Sequence, residues 1–267
     1  MTPYLQHFGL THAPLSKGAP SNFETHALRN LKMRFQWLLD SPGMGVLTGE
    51  PGVGKTAALE RLCQGLSSHE YQVIYHSETD FGRVDLYRQL AFDFGLEPAY
   101  RRAAIWRTLK RHINEVAKTH HRLPIWIIDE AQNLPPEFFR DFPSFINFMF
   151  DTQSLMSIWF VGNSYLKQIL KRHIYEGLFS RIKFFVHFEP LSTSDEFKAM
   201  LTEAFQNAGV TQALISDSGI ELIRHASKGR FRQAGQVLQM ALQLGYQKNT
   251  NHISDEIIDE AIEELQK

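Results

Sequence analysis

The sequence predicts an α/β fold, with a five-stranded parallel sheet covered by helices on both faces and a small all-helical segment behind it. Three observations carry this. Short, nearly continuous apolar runs alternate with amphipathic ones, and that alternation stops after "EPLSTSDEF". The first apolar run, "GMGVLT", leads straight into the glycine-rich stretch Gly49 to Thr56 and then into a helical pattern. With 267 residues, 43% of them hydrophobic and 21% charged, the chain is long enough to bury such a core beside a smaller companion.

Taken in order, the elements follow from local signals. Residues 1–20 hold three prolines and two glycines and read as an extended, turn-rich arm. Ser21 and Glu24 form an S-x-x-E capping box for a helix carrying Leu28, Leu31, Phe35, Leu38 and Leu39 at helical spacing. The five strands are "GMGVLT", "YQVIYHS", "LPIWIID", "LMSIWFVG" and "IKFFVHF". Between them lie helical patterns after Lys55, around Leu86 to Phe94, from Ala103 to Lys118, from Phe138 to Phe150 and near Leu166 to Leu170. Ser194, followed by Asp195 and Glu196, starts the first helix of the last segment by side-chain capping and favourable charge at the positive end of its dipole. The resulting organisation is an arm over 1–20, an α/β domain over 21–191 and a helical subdomain over 192–267.

Composition excludes several classes. A formal net charge of -1 gives no global attraction to polyanions, so any such surface must be a local patch. The single cysteine, Cys63, permits no disulfide or cysteine metal site within one chain and fits a reducing cytoplasm. "MTPYLQHFGL" lacks the basic start and apolar run of a signal peptide, and no window approaches the ~20 apolar residues of a spanning helix, so no membrane partner is expected.

The glycines answer to chemistry. Gly49, Glu50, Pro51, Gly52, Val53, Gly54, Lys55 and Thr56 satisfy G-x-x-x-x-G-K-[ST] between a strand and a helix, the context this motif requires. Its backbone N–H groups, the start of the following helix and the Lys55 cation together suit a nucleoside polyphosphate, and the Thr56 hydroxyl suits Mg²⁺. Asp129 and Glu130 follow the buried run Ile125 to Ile128, where one carboxylate can hold the metal shell and the other can polarise water. Asn163 ends a third apolar strand, where its amide can orient that water or contact the terminal phosphate, though an Asn after a strand also serves turns.

With these residues in view, the chain resembles the AAA+ ATPases. "GEPGVGKT" matches their Walker A motif, "IWIIDEAQ" their Walker B motif and "VGN" their sensor-one position. The resemblance implies ATP and Mg²⁺ as cofactors, and it implies that the sensor-one strand lies between the two Walker strands. It also implies that Arg181, in "GLFSRIKFFVHFEPL", is an arginine finger toward a neighbouring subunit's nucleotide. Arg232, in "KGRFRQAGQVLQMAL", is similar to the sensor-two arginine of the lid, with Arg230 a near alternative.

Within that superfamily, "YLQHFGLTHAPLSKG", "LYRQLAFDFGLEP", "WIIDEAQNL" and "FSRIKF" resemble the ATPase modules of bacterial transposition regulators and of the general-secretion accessory ATPase. The first implies a homo-oligomeric ring or helical filament that forms on DNA without reading sequence and recruits a transposase or target-selection protein. The second implies a protein partner, as does a helicase loader. The absence of a membrane helix and wall-binding segment favours the transposition reading. Local charge agrees with DNA: Arg101, Arg102, Arg107, Lys110, Arg111, Lys118 and Arg122 face a single acid, Glu115, between 101 and 122. Arg83, Arg101, Arg102, Arg107, Lys110 and Arg111 are the expected contacts, and if their helix faces outward Arg83 alone remains. His112, His120 and His121 lack metal spacing and read as surface residues.

Overall fold

The computed structural model describes residues 2–19, 23–78, 82–148 and 152–266, without the side chain of Arg83. Its internal contacts divide the chain into two compact units, one made of His26–Gly49 and Lys55–Phe188, the other of Met1–Thr25, Glu50–Gly54 and Glu189–Lys267.

The first unit is the α/β fold read from the sequence. Strands β1 (Met44–Gly49), β2 (Tyr71–His76), β3 (Leu123–Ile128), β4 (Ser157–Gly162) and β5 (Ile182–Phe188) form one sheet in the order β2-β3-β4-β1-β5. Every pair is parallel. The third apolar strand, β4, lies between β1 and β3, as the resemblance implied. Burial explains the composition: β1 and β4 are buried at every position, as strands covered on both faces must be, whereas the edge strands β2 and β5 leave some positions exposed.

The helices of this unit are α2 (His26–Asp40), α3 (Lys55–Gln64), α4 (Arg83–Asp93), α5 (Arg102–Lys118), α6 (Pro136–Ile146), α7 (Ser164–Leu170) and α8 (Glu176–Phe179). In α6, Phe138, Phe139, Phe142 and Phe145 form one buried stripe, and Phe142 meets Phe160 of β4 edge-on with ring centroids 5.4 Å apart. Burying each such ring contributes about 1.5–3 kcal/mol. Helix α2 begins at His26; the Ser21 of the expected capping box lies outside the described residues, as does Phe150.

The second unit holds α1 (Pro3–His7), α9 (Ser194–Asn207), α10 (Asp217–Ser227), α11 (Phe231–Gln247) and α12 (Asp255–Gln266). Two expectations change here. The extended arm instead contains α1, started by proline at its first turn, and Tyr4, Leu5, Phe8 and Leu10 are buried in the core of the C-terminal helices. The N-cap position of α9 is Thr193 and not Ser194, and no side chain caps the helix: the Thr193 hydroxyl donates to Glu196 at 2.9 Å and the Ser194 hydroxyl to Glu221 at 2.6 Å.

Candidate nucleotide site

In the α/β unit, α3 begins at Lys55 directly after the loop, and its ammonium, buried to 9% exposure, donates to the Gly49 carbonyl at 2.9 Å. The next residue ties the helix to a second strand: the Thr56 hydroxyl donates to Oδ2 of Asp129 at 2.6 Å. Asp129 is 4% exposed, and two more donors fix it, the Tyr75 hydroxyl on Oδ2 at 3.0 Å and the Glu130 N–H on Oδ1 at 2.9 Å. Its own N–H extends the β2–β3 ladder to the His76 carbonyl at 2.7 Å. A buried carboxylate that accepts from two hydroxyls and an amide is a setting that favours a cation. A hydroxyl and a carboxylate in contact are also the hard oxygen donors that Mg²⁺ takes from a protein when phosphates and water supply the rest. The residues therefore fit that ion. Among the described residues no cluster of three or more His, Cys, Asp or Glu could hold a metal without such help.

Glu130 is exposed and has φ of +50°, in the left-handed region that few residues other than glycine occupy. Its carboxylate accepts from Gln132 Nε2 at 2.6 Å, while Gln132 Oε1 accepts the backbone N–H of Asn163 at 3.1 Å. Gln132, in the 3₁₀ turn Ala131–Asn133, thus joins the acid after β3 to the tip of β4. Gly162 makes room for this bridge, since a Cβ there would stand 2.3 Å from Gln132 Oε1. Asn163 itself caps α7, its Oδ1 accepting from Tyr165 N–H at 2.9 Å, so that oxygen performs the turn chemistry open to an Asn after a strand. Tyr75 and Gln132 were not singled out by the sequence reading.

In the helical unit, loop residues Glu50–Gly54 meet the start of α11. Gly52 and Gly54 have φ of +86° and +90°, so both need glycine. The Arg232 N–H donates to the Gly52 carbonyl at 3.2 Å, and Gln233 Oε1 lies 2.7 Å from where a Gly52 Cβ would be. Arg230, at the N-cap of α11, ion-pairs with Glu50. Of the two lid arginines, Arg230 therefore engages the loop by its side chain and Arg232 by its backbone.

Arg181 stands apart from this cleft. It is half-buried, donates to the Gly177 carbonyl at 2.6 Å, and immediately precedes β5, whose Ile182 pairs with Met44 at the opposite end of β1 from Gly49. Six residues of β1 at about 3.3 Å each separate those ends by roughly 17 Å, beyond the reach of an arginine side chain.

The basic segment divides by helical phase. Ile105, Leu109, Ile113 and Val116 are the buried stripe of α5. Arg102 and Lys110 flank that stripe and bind α6 and the residues after it instead of standing in solvent. Arg102 pairs with Asp141 and lies over the Trp106 ring, while Lys110 donates to the carbonyls of Ser144 at 2.8 Å and Asn147 at 3.0 Å. Burial pulls the Lys110 pKa down. Arg101, Arg107 and Arg111 are exposed, and the Arg83 side chain lies outside the described residues. His112 is not a plain surface residue, for its ring packs edge-on against Phe94 at 5.0 Å and burial lowers its pKa; His120 and His121 are exposed. The Cys63 thiol, pushed up to about 11 by burial, is not a nucleophile near neutrality.

Comparison with known proteins agrees with this geometry. Residues 39–170 match the family model described as an AAA domain. The chain is 26% identical over 259 residues to general secretion pathway protein A of Aeromonas hydrophila, covering 94% of this chain but only 46% of that protein, about half its length. Among solved structures it is similar to Cdc6p from Pyrobaculum aerophilum, with TM-score 0.74, 17% identity, and 94% of this chain and 70% of that one covered. The Aeropyrum pernix ORC1 protein in complex with DNA gives TM-score 0.71 at 18% identity, over 94% and 68% of the two chains. The RuvB Holliday junction branch migration motor of Thermotoga maritima gives 0.56 at 20% identity, over 90% and 66%. The parallel sheet with β4 between β1 and β3, the loop Gly49 to Thr56 and the matched segment agree on one α/β fold, which over residues 39–170 is similar to an AAA domain.

Proposed function

We propose that the protein is a Mg²⁺-dependent ATPase of the cytoplasm whose nucleotide state controls its assembly on DNA. The observation that carries the reading is the convergence of Lys55, Thr56, Asp129, Glu130 and Asn163 at the C-terminal end of one parallel sheet, tied together by Thr56–Asp129 and by the Gln132 bridge. In this reading Gly49 to Thr56 seat the phosphates, with the Lys55 ammonium and the first N–H groups of α3 balancing their charge. Thr56 and Asp129 would hold Mg²⁺, which when bound neutralises charge on the terminal phosphates. Glu130 accepts a proton from a water whose oxygen bonds to the γ-phosphorus, while the bond from that phosphorus to the bridging oxygen breaks and ADP departs. Asn163 and Gln132 fix the position of that water and of Glu130. Arg181, too far from its own cleft, would serve a neighbour's nucleotide in a homo-oligomeric ring or filament, and Arg232 and Arg230 would report the nucleotide through α11.

For the partner, Arg101, Arg107 and Arg111 supply exposed cations for phosphate contacts that do not read sequence, which supports duplex DNA. On this reading the ATP-bound assembly delivers or activates a transposase or target-selection protein. The relative from a secretion pathway favours a second reading, in which the same cycle acts on a protein partner. Fluorescence anisotropy of a labelled duplex over a salt series, with an ATP analogue, with ADP and without nucleotide, separates them. The DNA reading expects binding that the ATP analogue tightens and salt weakens, and Arg107→Ala with Arg111→Ala to lower the salt slope while Arg102→Ala leaves it unchanged. Absence of binding at low salt in every state rejects DNA and leaves the protein partner. Among the described residues no helix is long and apolar enough to cross a membrane.

A further inference from the structure

We infer that Tyr75 is a positioning residue for the metal-binding carboxylate of Asp129, an inference that rests on the Mg²⁺-nucleotide reading of the site. Strand alternation alone gives no reason for a tyrosine here: β2 is an edge strand, and Val73 and Tyr75 occupy its open face, 39% and 47% exposed. Yet the hydroxyl turns inward and donates to Asp129 Oδ2 at 3.0 Å, the same oxygen that accepts from Thr56 at 2.6 Å. Tyr75 thus supplies, from β2, the third side of a frame whose other two sides are α3 and the Glu130 amide. Three donors, from α3, from β2 and from the residue that follows Asp129, bind that carboxylate.

The strand carrying Tyr75 is itself anchored on its buried face. His76, the next residue, accepts the Trp126 indole N–H on Nδ1 at 2.9 Å and contacts Asp93 through Nε2 at 2.5 Å. These bonds hold β2 to β3 and α4, so the phenol reaches Asp129 from a fixed base. The Tyr75 hydroxyl holds the Asp129 carboxylate where Thr56 and the metal need it, so its effect should appear in metal dependence and not in nucleotide affinity as such.

The test compares the full chain with Tyr75→Phe, which keeps the half-exposed ring and removes only the hydroxyl. Binding of a fluorescent ADP analogue is measured in EDTA and then across a Mg²⁺ titration, and Mn²⁺ uptake by the nucleotide-loaded protein is followed by electron paramagnetic resonance. A charge-assisted hydrogen bond that is partly open to water corresponds to roughly a three- to tenfold change. The expected result is unchanged affinity in EDTA with the Mg²⁺ and Mn²⁺ midpoints raised by that factor, and turnover restored at saturating Mg²⁺. Asp129→Asn is the reference for loss of the ligand itself. If wild type responds to Mg²⁺ and Asp129→Asn does not, but Tyr75→Phe titrates like wild type or more tightly, the role of Tyr75 is overturned and the site reading stands. If wild-type nucleotide binding is indifferent to Mg²⁺, both are overturned.

Discussion

Gly162→Ala, at the last residue of β4, probes the bridge between Glu130 and the Asn163 N–H without changing either residue. The added methyl would lie 2.3 Å from Gln132 Oε1, where ordinary contact begins at 3.4 Å, so the amide must retreat by about 1 Å. Retreat of the backbone is blocked on the other side, because Leu166 Cδ2 and Cβ already stand 3.0 and 3.3 Å from the same point and Leu166 is fully buried. Gln132 therefore gives way, and with it the bonds to Asn163 N–H at 3.1 Å and to Glu130 Oε2 at 2.6 Å. One neutral and one charge-assisted hydrogen bond are worth together about 2–4 kcal/mol when shielded, and less where one of them, Gln132 to Glu130, is exposed. The effect on chemistry is larger. A base displaced by about 1 Å costs on the order of 10²-fold in rate. We expect kcat to fall roughly 10- to 100-fold with nucleotide affinity nearly unchanged. Phosphate release gives the first quantity and fluorescent-nucleotide titration the second. Because the methyl acts through Gln132, the double variant with Gln132→Ala should turn over no more slowly than Gln132→Ala alone. Full additivity of the two, or normal turnover in Gly162→Ala, would refute the reasoning.

Two further outcomes follow from placement. Arg181 lies at the far end of the sheet from its own cleft, so Arg181→Ala should lose turnover yet retain nucleotide binding, and wild-type specific activity should rise with protein concentration; activity independent of concentration would exclude a role in trans. Burial, partly offset by Asp93, lowers the His76 pKa, so the unfolded chain takes up this proton first as pH falls. Stability linked to His76 is complete above the unfolded value of about 6.5 and is lost as pH drops from there toward the lower folded value. His76→Gln should flatten the fall in melting temperature as pH drops below the unfolded value of about 6.5, and an unchanged slope would assign it to other groups.

The parts of the site that the sequence exposed are those whose chemistry is contiguous. Gly52, Gly54, Lys55 and Thr56 announce a phosphate loop because few other uses gather that much backbone freedom beside one cation. Asp129 and Glu130 were visible because four hydrophobic residues, Ile125 to Ile128, precede them. Gln132 and Tyr75 were not. In "DEAQN" a glutamine reads as an exposed turn residue, and in "YQVIYH" Tyr75 falls on the open phase of a strand; only their partners on other elements give them a role. The arm failed for a related reason: its prolines and glycines outvoted a single turn in which Pro3 is a helix starter and Tyr4, Leu5 and Phe8 are core. In α5 the cations were counted as a run, but the buried stripe sorts Arg102 and Lys110 toward α6 and Arg107 and Arg111 toward solvent.

The central claim is that this cleft binds and hydrolyses ATP, with Lys55 acting on the phosphates and Glu130 on water. The most direct measurement sets Lys55→Ala beside Glu130→Gln, recording ATP affinity and Mg²⁺-dependent phosphate release for each. The account predicts that Lys55→Ala loses binding, whereas Glu130→Gln binds like wild type and releases phosphate at least ~10²-fold more slowly, the usual contribution of a positioned base. Normal turnover in Glu130→Gln, or normal affinity in Lys55→Ala, would contradict it.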